Sequence, residues 1–367
     1  MGILRVLLAI SVLAAHFGAI WKLKPVSGSI AVETFFIISG FYMSFILNEK
    51  YTKKNKSYRL FITNRLLRIY PVYWGTLLAT IAFCFIVYWV SNGQDFPIFD
   101  YYFSVTPNGY SFPFLILTNL LVFGQDLVMF LGIFPETGGL FFTTNFWKTY
   151  PPLYRFLFIE QAWSLGLELL FYLLAPFILR SKLAWVILVI LLSLILRIYL
   201  YDFVGLRKDP WTYRFFPTEI IFFLFGYISY KIYRRIEQQD LPAYIGRVVL
   251  VFCILTTIAY GYVPQVKQWQ IPFSWNEILY FLTITAAIPV LFKCFKNNKT
   301  DRQVGDLSYP IYLSHFLIGR VIYMLPIFVL KQSWCILIIT ILFSYLLHTL
   351  IQAPIEKYRQ SRVKKNN

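Results

Sequence analysis

Long runs of uncharged apolar residues limit the folds available to this chain more than any other feature does. Of its 367 residues, 58% are hydrophobic and only 14% are charged. A soluble domain of this length could not bury so much apolar surface, whereas runs of about 20 apolar residues suit membrane-spanning helices. The sequence therefore predicts an all-α, polytopic integral membrane protein. Eleven apolar runs can be delimited, at roughly 3–21, 30–48, 70–90, 113–133, 160–179, 183–201, 216–233, 246–263, 274–292, 308–330 and 333–352.

The distribution of basic residues predicts which of these runs cross the membrane. The formal net charge is +17. If the run at 113–133 does not cross, ten crossings remain and every large basic cluster faces the cytoplasm, as the positive-inside rule requires. We therefore expect about ten transmembrane helices with both termini in the cytoplasm. The clusters are Lys50 to Arg68, Arg180 with Lys182, Lys231 to Arg235, Lys293 to Arg302, and Lys357 to Lys365.

The run at 113–133 differs from the others because proline, glycine, asparagine and glutamine interrupt or flank it. We interpret about 91–159 as an extracytoplasmic region with a partly inserted segment. Non-helical backbone at membrane depth is tolerated only where it is buried in protein or lines a cavity, so this region is expected to roof a site. The predicted organisation is one transmembrane domain over 1–356 and a basic cytoplasmic tail over 357–367.

Arg5 and His16 lie eleven positions apart on the first run. At about 100° and 1.5 Å per residue this is close to three helical turns, so both side chains share one face and His16 lies about 16 Å deeper. Ionisable groups inside a membrane are costly and mark functional sites, and imidazole suits a general base. We expect both residues to be catalytic. The alternatives are an interfacial anchor for Arg5 and a helix-packing contact for His16.

Two glutamates are further catalytic candidates. Glu33 begins the second run at about the depth that His16 reaches, where a carboxylate could orient the imidazole. The alternative for Glu33 is a hydrated carboxylate at the interface. Glu168 lies well inside the run at 160–179, and at that depth it needs a cation or water as its partner. Ser39 and the glycine that follows it are expected to serve close helix packing.

A third group lies at the cytoplasmic ends of the predicted spans. Arg65 and Arg68 are three residues apart, share a helix face and can hold phosphate through bidentate hydrogen bonds. The alternative is that they only orient the protein in the membrane. Tyr309 and His315 fall within two turns near the same side and are further candidates for ligand contact. His315 could instead complete a packing network.

Several other classes of site lack support. The four cysteines, at 84, 253, 294 and 335, are scattered and form no C-x-x-C motif, so neither a metal site nor a disulfide framework is indicated. Walker, dinucleotide-binding, zinc-protease and serine-hydrolase motifs do not occur. The positive charge is explained by membrane orientation and by attraction to anionic lipids, without nucleic acid.

Taken in order, six motifs resemble the acyltransferase 3 family of integral membrane acyltransferases over essentially the whole chain. Three departures are visible: Glu33-Thr34 where the family often has aspartate, a single Glu168 where it often has two glutamates, and Glu356-Lys357-Tyr358 without the usual proline. The motifs are Arg5-x10-His16, V-E-T-F-F-I-I-S-G-F at 32–41, R-L-L-R-I-Y-P at 65–71, W-S-L-G-L-E-L-L-F-Y at 163–172, S-Y-P-I-Y-L-S-H at 308–315 and A-P-I-E-K at 353–357.

The resemblance implies transfer of an acyl group, usually acetyl, from cytoplasmic acyl-CoA to a hydroxyl of an envelope glycan, in the bacterial inner membrane. Some members of the family carry a fused extracytoplasmic esterase-like domain, for which we expect no room in this chain. It makes Arg5 and His16 catalytic and the Arg65–Arg68 pair essential. We expect these arginines, with Tyr309 and His315, to bind acetyl-CoA, and His16 to deprotonate the acceptor hydroxyl. A transient acyl-histidine is the rival mechanism.

Two other classes of function remain as alternatives. A secondary transporter or flippase of a glycan or small molecule would also use intramembrane charges, but the expected internal repeat is not evident. A purely structural membrane protein would leave Glu168 and His16 unexplained. The sequence does not name the acceptor.

Overall fold

The computed structural model describes residues 1–51, 57–266 and 272–365, and helices dominate it. The predicted all-α polytopic membrane protein is confirmed, since seven helices of the described residues are long and apolar enough to span a membrane. The first six helices are α1 Gly2–Phe17, α2 Gly28–Phe45, α3 Tyr58–Val90, α4 Phe99–Phe103, α5 Ser111–Leu121 and α6 Trp163–Ile178. The others are α7 Leu183–Ile198, α8 Phe216–Ile236, α9 Ala243–Ala259, α10 Trp275–Phe295, α11 Lys299–Asp306, α12 Ser308–Met324, α13 Ser333–Leu347 and α14 Ala353–Lys365.

The number of crossings and the side of each terminus stay predictions. Helix α1 is shorter than the seven long apolar helices, and α8 and α12 are not among them. One end of the bundle carries α11 and α14, and we call it the inner end because the positive-inside rule predicts that it faces the cytoplasm. Three lysines of the first predicted basic cluster lie outside the described residues: Lys53, Lys54 and Lys56.

Helix α2 forms the centre of the bundle. Its apolar window is 83% buried, against 17% for the peripheral span that contains α7. It packs closely on α8, because a Cβ atom at Gly40 would lie 1.9 Å from the Phe223 carbonyl oxygen. A Cβ at Gly226 would lie 2.1 Å from the Ile37 carbonyl oxygen. Small residues allow such close backbone contact between membrane helices, so Gly40 has the packing role that its sequence predicts.

The region between α3 and α6 contains the unusual run at 113–133. Its helix α5 has 11 residues, which is about 16 Å and too short to cross a bilayer. The last carbonyl groups of a helix lack partners within the helix. Here side chains of α3 supply them, since Tyr70, Tyr73 and Trp74 donate hydrogen bonds to carbonyl oxygens near the end of α5. A short antiparallel hairpin follows, formed by β1 Leu131–Ile133 and β2 Leu140–Phe142.

The basic segment after Glu356 continues helix α14 through Lys365. It packs against α3, where Arg362 donates hydrogen bonds of 3.0 Å to the side-chain oxygens of Asn64 and Thr63. The predicted cytoplasmic tail is therefore part of the inner end of the bundle.

Candidate active site

Three cavities follow one another from the inner end of the bundle towards the opposite end, which we call the outer end. We name them the inner vestibule, the central cavity and the outer cavity, and their volumes are about 730, 90 and 350 Å³. Arg5, Tyr42 and Arg68 line both the inner vestibule and the central cavity. Val32 and Tyr312 line both the central and the outer cavity. Shared walls make these cavities neighbours along one path.

The two predicted catalytic residues of α1 lie at different points of this path. Arg5 lies where the inner vestibule meets the central cavity. His16 is exposed at the end of α1 and lines the outer cavity. The helix thus carries a cation and an imidazole to two compartments, as the eleven-residue spacing predicts for one helix face.

Glu168 lies in the central cavity and accepts two hydrogen bonds of 2.5 Å, one from the Ser39 hydroxyl and one from the Tyr172 hydroxyl. Arg5 and Arg68 line the same cavity, so a carboxylate in the membrane has cations as well as hydroxyl groups around it. Sequence reasoning assigned Ser39 only to helix packing and missed this bond. The signals in the sequence were the positions of Ser39 in the motif at 32–41 and of Tyr172 in the motif at 163–172.

The arginine pair of α3 separates into two environments, against the expectation that both side chains serve one site. Arg68 lines the inner vestibule and the central cavity. Arg65 is only 4% exposed and lines a separate apolar groove beside Tyr172. Its Nε and Nη1 atoms are buried and have no hydrogen-bond partner among the described residues. Three residues on a helix correspond to about 300°, which leaves room for such a divergence when neighbouring helices pack between the side chains.

The structure does not bring Glu33 to His16. The Glu33 carboxylate lies 3.6 Å from Nη2 of Arg197, which also forms an ion pair with the buried carboxylate of Glu219. Among the described residues, Glu33 makes no contact with His16 through which it would orient the imidazole. Sequence reasoning left Arg197 and Glu219 unassigned, because two opposite charges on separate helices reveal their pairing only once α7 and α8 are packed.

Tyr309 and His315 also occupy different places. Tyr309 lines the central cavity and donates a 2.8 Å hydrogen bond to the Ile69 carbonyl oxygen. His315 is completely buried and stacks on His16, with 5.5 Å between the ring centroids. His315 therefore accompanies the predicted base and does not join the cations of the inner vestibule.

The region between α3 and α6 forms part of the wall of the outer cavity. This region contributes Met129, Phe146, Trp147, Tyr154 and Arg155 to the lining. No group of three or more histidine, cysteine, aspartate or glutamate side chains suited to a metal ion occurs in the part of the chain that the structure describes.

Comparison with known proteins agrees with the motifs. A family model described as "Acyltransferase domain" matches residues 1–349. A Bacillus subtilis protein named "Putative peptidoglycan O-acetyltransferase YrhL" is 25% identical over 346 residues, which cover 85% of this chain and 47% of that protein. The chain thus spans about half the length of this relative. An "Uncharacterized protein" of Aquifex aeolicus is 29% identical over 225 residues, or 58% of this chain and 93% of that protein. No solved structure matches.

Proposed function

This chain belongs to the acyltransferase 3 family of membrane acyltransferases, and on that premise we propose that it is an O-acyltransferase of envelope glycans. The donor is an acyl-CoA, most simply acetyl-CoA, that enters from the cytoplasm through the inner vestibule. The acceptor is a hydroxyl of a glycan in the outer cavity. The Bacillus relative is named for O-acetylation of peptidoglycan, which supports an envelope glycan as the acceptor class.

The order of the three cavities, from the inner vestibule to the outer cavity, is the main support for this proposal. CoA is polyanionic and cannot cross a bilayer, so its phosphates have to stay at the inner end while its acyl group reaches the acceptor. The lining of the inner vestibule contains six lysine and arginine residues and three acidic ones, and this excess of cations suits phosphate groups. Arg5 and Arg68 extend the positive charge into the central cavity.

Transfer requires the thioester to pass from the central cavity between Val32 and Tyr312. In the outer cavity, His16 accepts the proton of the acceptor hydroxyl, and the oxygen of that hydroxyl attacks the thioester carbonyl carbon. The C–S bond breaks, an ester forms, and the proton passes from His16 to the departing CoA thiolate. A base with this role contributes about 10²- to 10⁴-fold to the rate.

The test uses membrane vesicles that contain wild-type or His16→Ala protein, together with acetyl-labelled acetyl-CoA and glycans extracted from the host envelope. We expect wild-type vesicles to label a glycan fraction and His16→Ala to reduce the rate by about 10²- to 10⁴-fold at equal protein content. Wild-type activity in the His16→Ala variant would refute the role of His16. Movement of glycan across the vesicle membrane without ester formation would support the transporter alternative.

A further inference from the structure

Flat aromatic rings line the outer cavity beside His16. They come from several elements and include Phe146, Trp147, Tyr154, Trp163 and Tyr213. The face of an aromatic ring carries partial negative charge, so it attracts the partly positive C–H groups on the face of a sugar ring. With a volume of about 350 Å³, the cavity is of the size that small-molecule sites have.

Trp147 offers an open platform in this wall. It is 58% exposed although it packs against two other rings, with centroid distances of 4.6 Å to Phe146 and 5.4 Å to Tyr154. These contacts hold the indole in place. Its exposed part is available to a ligand.

Among the described residues, Arg214 and Glu160 of the lining form ion pairs, whereas Arg155 forms none within 4 Å. Arg214 forms a two-pronged ion pair with Asp209 and stacks on Trp163, 4.3 Å from the ring centroid. Glu160 forms a 2.8 Å ion pair with Arg320. Arg155 is exposed, lies 5.2 Å from the Tyr154 ring centroid and is attracted by the Glu160 carboxylate, which is itself paired with Arg320. An arginine of this kind suits an anionic group on the ligand.

We infer that the outer cavity receives a glycan whose sugar carries a carboxylate, with the sugar ring on Trp147 and the carboxylate on Arg155. This inference rests on the proposed function, since it names the class of acceptor whose hydroxyl meets His16. Acidic glycans are thereby preferred over neutral glycans of the same size.

The experiment measures KM and kcat for two acceptors, an oligosaccharide with a carboxylate in each repeat and the same oligosaccharide after reduction of its carboxyl groups to alcohols. Wild-type protein is expected to have the lower KM for the acidic form. Arg155→Gln should raise that KM about tenfold and leave the KM of the reduced form and both kcat values unchanged. Trp147→Ala should raise both KM values about threefold to tenfold.

Two neighbouring variants serve as matched controls. Lys148→Gln removes an exposed cation and Tyr150→Ala an exposed ring from the same loop, and neither residue lines the outer cavity. Both should retain wild-type KM values. Equal wild-type KM values for the two acceptors, or an equal effect of Arg155→Gln on both, would overturn the inference.

A binding measurement separates failure of this inference from failure of the proposed function. His16→Ala protein is titrated with the two oligosaccharides, and tryptophan fluorescence reports binding without turnover. We expect His16→Ala protein to bind the acidic form more tightly and the double variant His16→Ala with Arg155→Gln to lose this preference. That result supports the site whether or not an ester forms. Equal binding of both forms refutes it, even where wild-type protein makes the ester.

Discussion

The inner vestibule and the outer cavity are reached by the same helix, α1, but their walls differ in chemistry. The inner vestibule has an excess of cations, whereas aromatic rings dominate the outer cavity, and among the described residues two of its charged side chains, Glu160 and Arg214, form ion pairs. The cations of the vestibule are Arg5, Arg68, Lys296, Arg302, Lys357 and Arg359. Cations attract phosphates over several ångströms, while a ring surface selects a ligand by shape and contact.

The two ends of the bundle therefore differ in chemistry. The inner end is rich in cations, and the outer end is lined mainly by aromatic rings. The central cavity, with Glu168 among two hydroxyl groups and two arginines, joins the two compartments.

After the loss of His16, removal of the charge at Glu168 should have the largest effect. Glutamine keeps the shape but cannot balance the charges of Arg5 and Arg68, so we expect Glu168→Gln to lower kcat about 100-fold. CoA release and ester formation in vesicles measure this. Glu237→Gln is the matched control, because Glu237 lies on the surface beside Arg234. A Glu168→Gln protein with wild-type kcat would show that this carboxylate only stabilises helix packing.

Loss of one vestibule cation should weaken donor binding without affecting the acceptor. We expect Arg68→Gln to raise KM for acetyl-CoA about 10- to 100-fold, since hydrogen bonds to charged groups contribute about 1.5–3 kcal/mol. The effect should shrink as the salt concentration rises. Arg207→Gln, which removes an exposed arginine beside Asp202, should leave KM unchanged. A change in acceptor KM and not in donor KM would reverse the assigned roles of the two ends.

Removal of the Tyr312 hydroxyl should loosen the wall between the central and outer cavities. The Tyr312 hydroxyl lies 2.8 Å from the Gln161 carbonyl oxygen and 2.7 Å from the Ser164 hydroxyl. Tyr312→Phe loses a net stabilisation of about 1 kcal/mol, so we expect kcat to fall about fivefold with both KM values unchanged. Tyr345→Phe, at an exposed position of α13, is the control. An altered donor KM would mean that Tyr312 contacts the donor in its bound position.

The smallest effect concerns the inner end of α1. Asp301 accepts hydrogen bonds from the Met1 amino group and from the N–H groups of Gly2 and Ile3. Burial alone would raise the pKa of Asp301, but these bonds outweigh it and lower that pKa below its usual value. Asp301→Ala should reduce the free energy of unfolding by about 0.5–2 kcal/mol at neutral pH.

The pH dependence of this stabilisation has a definite sign. A carboxyl group whose pKa is lower in the folded state stabilises the fold above its unfolded pKa of about 3.9, and this stabilisation disappears as the pH falls below that value. Thermal unfolding in detergent at several pH values measures it, with Asp240→Ala as the exposed control. If the difference between wild type and Asp301→Ala stays constant down to pH values of about 3, the carboxylate does not cap α1 in this way.

Interactions within one helix could be predicted from the sequence, whereas pairings between helices could not. The spacing of Arg5 and His16 predicts their shared face because helix geometry alone sets it. The separation of Arg65 from Arg68 depends on how α3 is rotated against α6. The proximity of His16 and His315 depends on the relative depth of α1 and α12. The site roles of these residues stay predictions.

The sequence by itself determined the class of protein and its family. Apolar runs, basic clusters and ordered motifs are local features, and they require no knowledge of how the helices pack. Packing between helices brings Glu33 to Arg197 and Ser39 to Glu168, and it places the three cavities side by side with shared walls. The reason is physical. Rotation and depth of each helix follow from close contacts with distant parts of the chain, such as Gly40 against Phe223, and spacing within one helix carries no information about them.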